Sequence, residues 1–552
     1  MKKSRSRIVL QPKVKVSALG IVDILEQIVR HLPRSGRAAA AGVCRNWQDV
    51  ALAGLWEDLD SILPLLRLLA PVNGYGQKGQ PYSFQGSLRD ADWGKFDSYA
   101  QMVRSLKWDD EYGTLTDTIF SQLFLHRPHT HALLPNITEI TWGACYEATA
   151  TQILPILAQS VKTLRLHFKD QCPVHSFTTI LKGLVDRGIL LEELNLMAWF
   201  DVDTVDPQLT SYLWAQTNLK RIGLPQYYGS TTIITALGTL PELQVVLPTN
   251  LQAERESGRQ WELAEGTFTN LSSFGLNECL IRATHVFRQT NLSKIRHVHL
   301  ITPVTNATSS GLNPFLLTLV TACPHLQGVT LNLYQNPTTF QAIDFSTLQP
   351  LLKCRELQVL EIADRKPLIL TEVDIRDMAT AWPELQRVDL TPEPIDALAA
   401  TVGNPLSLLN RFASSFGKSL TTIGLFFNIN RADIIDNRGF SMLPSLHTLI
   451  VGSSLVTQND IIPTAAFLGG ICSAGLVVKA GRRSWSKAVH DWGVMNNELP
   501  TVKLWKKTAE AMQDVHALQR PRQYRLEDME SKSRRVIDGK SCSWRQIDGK
   551  GE

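Results

Sequence analysis

Val161-Lys162-Thr163-Leu164-Arg165-Leu166 and, thirty residues on, Leu191-Glu192-Glu193-Leu194-Asn195-Leu196 decide the fold of this 552-residue chain. Each places a large aliphatic residue at the first, fourth and sixth positions. The last two share a parity, and side chains two apart in an extended chain point to the same face. The pattern is therefore a short strand with one face buried. Upstream it recurs at Val103, Leu106 and Trp108 and at Ile137, Ile140 and Trp142, and downstream at Leu219, Ile222 and Leu224. Near Leu243 it degrades, with Pro248 in the third place. It resumes at Leu271, Ile295, Leu326, Leu357, Leu385 and Leu420, and last at Leu446. The middle residues of successive copies lie 24 to 35 positions apart.

Helical stripes fill the intervals. Ile180, Leu181, Leu184 and Val185 form one, and Phe315, Leu316, Leu319 and Val320 another, at three- and four-residue steps. Prolines in Cys323-Pro324-His325, Trp382-Pro383-Glu384 and Leu443-Pro444-Ser445 return the chain to the extended form, since proline cannot continue a helix. Alternating strand and helix predict an α/β fold, a parallel sheet with outer helices. A period of this length means stacked repeats, and a dozen copies argue against ordinary core strands. The expected architecture is a curved leucine-rich-repeat solenoid over residues 101–477, each unit burying its face against its neighbours. Between the aliphatics stand polar residues, which on one strand face form a surface for a target protein. The candidates are Arg165, His167, Glu193, Asn195, His297, His299, Glu361, Arg387 and Asp389. The competing reading is a solvated face.

Residues 17–70 carry helical periodicity of a different kind. Ile21, Ile24, Leu25, Ile28 and Leu32 share one face until Pro33 and Gly36 break it. Val43, Trp47, Val50 and Ala51 make a second stripe. So small a unit cannot bury all these side chains alone, so they face either a partner or the rest of the chain. The run from Leu19 to Pro33, with Val43-Cys44-Arg45-Asn46-Trp47, resembles an F-box. The resemblance covers about 45 residues. Gly20 or Val22 stands where that family usually has proline, and Ser35-Gly36-Arg37-Ala38 lacks the usual Asp-Leu. The irregular repeats, over roughly residues 100–455, resemble the divergent leucine-rich repeats of fungal F-box proteins. The resemblance implies binding to a Skp-type adaptor and through it a cullin. It assigns Ile24, Leu25, Ile28, Leu32, Pro33, Val43, Cys44 and Trp47 to adaptor binding, in or beneath the docking surface. It further implies a substrate receptor of a ubiquitin ligase, with an interaction scaffold unlinked to ubiquitination as the alternative.

The rest of the chain is read as accessory. Residues 1–16 form a basic tail, either solvated or a nuclear address. Residues 71–100, rich in Gly and Pro, suit an exposed linker. Residues 478–520 suit a capping helix, with Val502, Trp505, Ala509, Met512 and Val515 on one stripe, and 521–552 a weakly ordered basic tail. The net charge of +4 and the mixed signs on the strands argue against nucleic acid as partner. No apolar run of membrane-spanning length occurs. Eight scattered cysteines without a Cys-x-x-Cys pair suggest a reduced chain in cytoplasm or nucleus, with no metal or cofactor. His297-x-His299 lacks a third ligand nearby. Neither a phosphate-binding loop nor a nucleophile motif appears, so the chain reads as a non-enzyme.

Overall fold

A computed structural model describes residues 21–73, 82–109, 117–126, 132–144, 146–169, 171–225, 230–249, 267–289, 292–302, 311–333, 343–394, 403–417, 419–430, 434, 442–481 and 501–515. The basic tails at 1–16 and 521–552 lie outside them. The chain is α/β, with two compact units: residues 1–225 with 240–242, and 226–239 with 243–552.

In the first unit three helices lead into a six-strand parallel ladder. The helices are α1 (Val22–His31), α2 (Arg34–Ala40) and α3 (Arg45–Trp56). The strands are Asp58–Leu59, Ser105–Asp109, Glu139–Ala144, Thr163–Phe168, Glu193–Met197 and Arg221–Leu224, in chain order across the sheet. The aliphatics of the repeated pattern are the buried ones, so Thr163–Phe168 alternates between half-buried and buried residues along its whole length. Leu164 stands opposite Ile140 and Leu194, and Leu166 opposite Trp142 and Leu196. Repetition stacks like on like, and each repeat closes its neighbour's core. The wide Trp142 indole keeps its N–H paired, donating to the Thr149 carbonyl at 2.9 Å. The Val174–Asp186 helix turns Phe177, Ile180, Leu181 and Leu184 inward, while Val185, expected on that stripe, is exposed.

The second unit repeats the scheme over nine strands, from Val245–Pro248 to Val477–Ala480. The degraded copy near Leu243 does form a strand. Val246 is buried there, and Pro248 ends the strand, where the loss of its N–H costs least. Past the expected boundary at 477, Val477–Ala480 adds a further strand beside Thr448–Gly452. A helix over 501–515 then packs on the Ile461–Ile471 helix. Its expected stripe is largely the buried one: Val502, Trp505 and Met512 are enclosed, and so is Thr508, which periodicity of apolar residues does not reveal. Trp505 donates its indole N–H to the Ser454 carbonyl at 2.9 Å.

The expected linker at 71–100 is in part folded. Val72–Asn73 pairs antiparallel with Ser83–Phe84, and a helix spans Trp93–Ala100 with Phe96 and Ala100 buried. Asp92 caps that helix by accepting from the Lys95 N–H at 2.9 Å. Tyr99 from this helix lies against Trp56, ring centroids 4.5 Å apart and ring planes tilted by 33°. Through this contact the helical module packs against the helix that precedes the next strand.

Candidate functional site

The first candidate surface lies on the helical module. α1 ends at Leu32-Pro33, and α3 packs across α1 and α2. Val29, Ala40 and Ala51 form a small core, with Leu32, Trp47 and Val50 against it. The sequence stripe set Ile21, Ile24, Leu25, Ile28 and Leu32 on one face; of these the helix buries Leu25, together with Val29, which the stripe did not include. Leu25, assigned to adaptor binding, is fully buried and cannot touch a partner while the module stays folded. Leu32 and Trp47 are half-buried and committed to the core. Pro33 and Cys44 are exposed at the starts of α2 and α3. What remains outward is Ile24, 39% exposed, Val43, 64% exposed, and half-buried Ile28, beside exposed Ile21 and Val22.

Arg37 fastens this module, and no sequence pattern singles it out. Its guanidinium donates to the carbonyls of Val29, Arg30 and Leu32 at 3.1 Å each and of Gly54 at 2.7 Å. Val29 and Arg30 lie in the last turn of α1 and Leu32 is its C-cap, so Arg37 supplies donors where the helix runs out of its own, beside the Leu32 N–H that also reaches the Val29 carbonyl at 3.1 Å. The fourth carbonyl belongs to α3. One cation thus closes a helix end and binds it to the next helix but one.

The second candidate surface is the polar face of the strands, and it occurs in each unit. In the first, Glu139, Arg165, Glu193 and Arg221 alternate in sign across four successive strands. Arg165 donates from Nη1 to Glu139, and from Nε and Nη2 to Glu193 at 3.1 and 3.0 Å. Arg221 Nε lies 3.7 Å from the other Glu193 oxygen. Burial opposes the Arg165 charge, but the hydrogen bond to Glu139 and the charge of Glu193 outweigh it, and its pKa is raised. His167 stands beside this ladder, where burial, the largest cause, pulls its imidazole below the ordinary value despite the nearby Asp109 carboxylate. Asn195 is half-buried on the same face, opposite Arg165.

In the second unit Arg387 pairs through Nε with Glu361 and donates from Nη2 to Asp389 at 3.2 Å. Thr330 donates to Glu361 at 3.3 Å. Asp389, expected as a target contact, is 1% exposed. It lies over Gly424, where any β-carbon would meet its carboxylate at 2.6 Å. A charge so enclosed serves the strand face, not a partner. His297 and His299 are half-buried, bordered by Ser273 and Gly275 on one side and Gly328 and Thr330 on the other. Burial lowers the pKa of His297, with the Arg296 charge adding to it.

Among the described residues no group of three or more His, Cys, Asp or Glu could hold a metal ion. Cys323, two residues from His325, is buried, and burial pushes its thiol up to about 12, so it offers no thiolate near neutral pH. His126, His129 and His131 cluster in a stretch whose sequence suits a solvated loop; His126 instead ends a helix, and His129 and His131 lie outside the described residues. Among the described residues no helix is long and apolar enough to cross a membrane. No protein-family model matches the chain, and no curated protein matches it.

Proposed function

We propose that this chain is the substrate-recognition subunit of a Skp–cullin–F-box type ubiquitin ligase, docking the adaptor through α1–α3 and a target protein through strand faces read as leucine-rich repeats. The observation that carries the reading is that a small helical module keeps its own core while leaving Ile24 and Val43 to solvent. Apolar side chains so placed gain from a partner surface. The chemistry assigned to this chain is proximity alone. Holding a target near a ubiquitin-loaded enzyme raises the effective concentration of its lysines, and other subunits perform the transfer.

The test is copurification of the intact chain with a Skp-type adaptor. Ile24→Asp and Val43→Asp are expected to abolish capture, since each sets a charge into an apolar contact at a cost of about 3 kcal/mol. Both residues are exposed, so the module stays folded and its helical circular dichroism is unchanged. Leu32→Asp is a poorer probe, because Leu32 packs on the module's core. If the folded wild-type chain captures no adaptor, the ligase reading fails and an interaction scaffold takes its place.

A further inference from the structure

Away from both surfaces, a cavity of about 630 Å³ opens where successive strands of the second unit begin. Gln244, Ser272 and Arg296 line it, and each directly precedes a strand, at Val245, Ser273 and His297. The turns leading into these strands supply further wall, including Lys294 and Leu271. Its volume falls in the ~300–1,000 Å³ range of small-ligand sites.

Its chemistry is lopsided. The lining includes two cations and several amide and hydroxyl groups and, among the described residues, no carboxylate. Among the described residues the Arg296 guanidinium makes no hydrogen bond or ion pair. Lys294 donates one hydrogen bond, to the Thr269 carbonyl at 2.7 Å, and keeps two N–H groups for a ligand. His325, also on the wall, is held by Glu356 outside it, Nδ1 to Oε1 2.9 Å. That carboxylate also feels the Arg296 charge and offsets part of it, but it stands outside the lining, so the cavity itself presents the two cations. The aliphatic stems of Lys294 and Arg296, with Leu271, give the cavity apolar sides beneath cationic tips.

We propose that this cavity binds an organic oxyanion, and that a phosphate monoester fits it best. Three terminal oxygens can take the guanidinium fork, the ammonium and a hydroxyl together, while the carbon stem lies along the aliphatic walls. The site is independent of adaptor docking and of the strand faces, so it stands or falls apart from the ligase reading.

The probe is phenyl phosphate, titrated calorimetrically into the full chain at low ionic strength, with inorganic phosphate and benzoate in parallel. Saturable 1:1 binding is expected, tighter for phenyl phosphate than for either comparison anion. A Lys294→Gln, Arg296→Gln double variant should bind at least ~tenfold more weakly, because charge-assisted hydrogen bonds are lost. Lys169→Gln, a cation of the first unit, should bind as the wild type does. Thermal melting verifies that every variant is folded. The proposal is overturned by absent saturation in folded wild type, or by undiminished binding in the double variant. It is equally overturned if inorganic phosphate or benzoate binds as tightly as phenyl phosphate, since then the stem or the phosphate contributes nothing.

Discussion

Arg37 directs its whole guanidinium at backbone carbonyls, and Arg165 directs its own at carboxylates, which gives the two residues different consequences on mutation. Arg37→Ala leaves four carbonyls without that donor. It is expected to destabilise the module by about 1–3 kcal/mol, seen as faster amide exchange in α1 and α3 with strand amides unaffected. Arg165→Glu sets three carboxylates side by side. Arg165 is partly exposed, so screening limits the loss to about 1 kcal/mol. Adding Glu193→Lys re-forms a pair of reversed sign but leaves Glu139 and Arg221 each beside a like charge. The double charge swap should therefore recover part of the lost melting temperature while still impairing target capture. Unchanged target capture in a folded double variant would remove this face from the recognition surface. His167 sets a pH dependence. Its folded pKa lies below the unfolded value near 6.5, so the unfolded chain takes up a proton first as pH falls. Its contribution to stability is full above about 6.5 and declines below it. A melting curve followed from pH 7 to pH 5 should fall, and less steeply in His167→Gln.

At the scale of elements, the 501–515 helix is the clearest case of packing that decides stability. Trp505 is enclosed and hydrogen-bonded, and Gly469 on the facing helix lets Val515 approach, since a β-carbon there would meet it at 2.9 Å. Trp505→Ala is expected to cost about 3–5 kcal/mol, read as a large drop in melting temperature of the intact chain. A melting temperature within a degree of wild type would show the helix to be dispensable. The helical module illustrates the opposite limit. Its core is three small residues with a few half-buried neighbours, and Arg37 does by hydrogen bonding what apolar area does elsewhere.

For the whole molecule, repetition makes stability local. Each strand is flanked by copies of itself, so a cavity in one repeat weakens its neighbours first. Leu194→Ala in the first unit and Leu360→Ala in the second are each expected to cost about 2–5 kcal/mol. Hydrogen exchange should show each lowering protection in its own unit before the other. Equal loss throughout both units would mean that the chain unfolds as one cooperative body.

By itself the sequence determined the parallel strand–helix order, the buried aliphatics from Leu106 to Leu449 and the inward stripe of the last helix. These follow from periodicity, a local property that every repeat restates. Tertiary structure alone decided the rest. Helical periodicity named a stripe on α1 but not its exact rotation, which α3 set by bringing Leu25 and Val29 inside. The alternation in Arg387-Val388-Asp389-Leu390 placed Asp389 on the polar face, yet only the neighbouring Gly424 explains why its carboxylate is buried. Arg37, between Gly36 and Ala38, and Arg296, between Ile295 and His297, carry no sequence mark that tells their roles apart. One donates to carbonyls at the end of α1 and in α3, and the other lines a cavity. That difference depends on which chain segments come within hydrogen-bonding distance, about 3 Å, and spacing along the chain does not encode it.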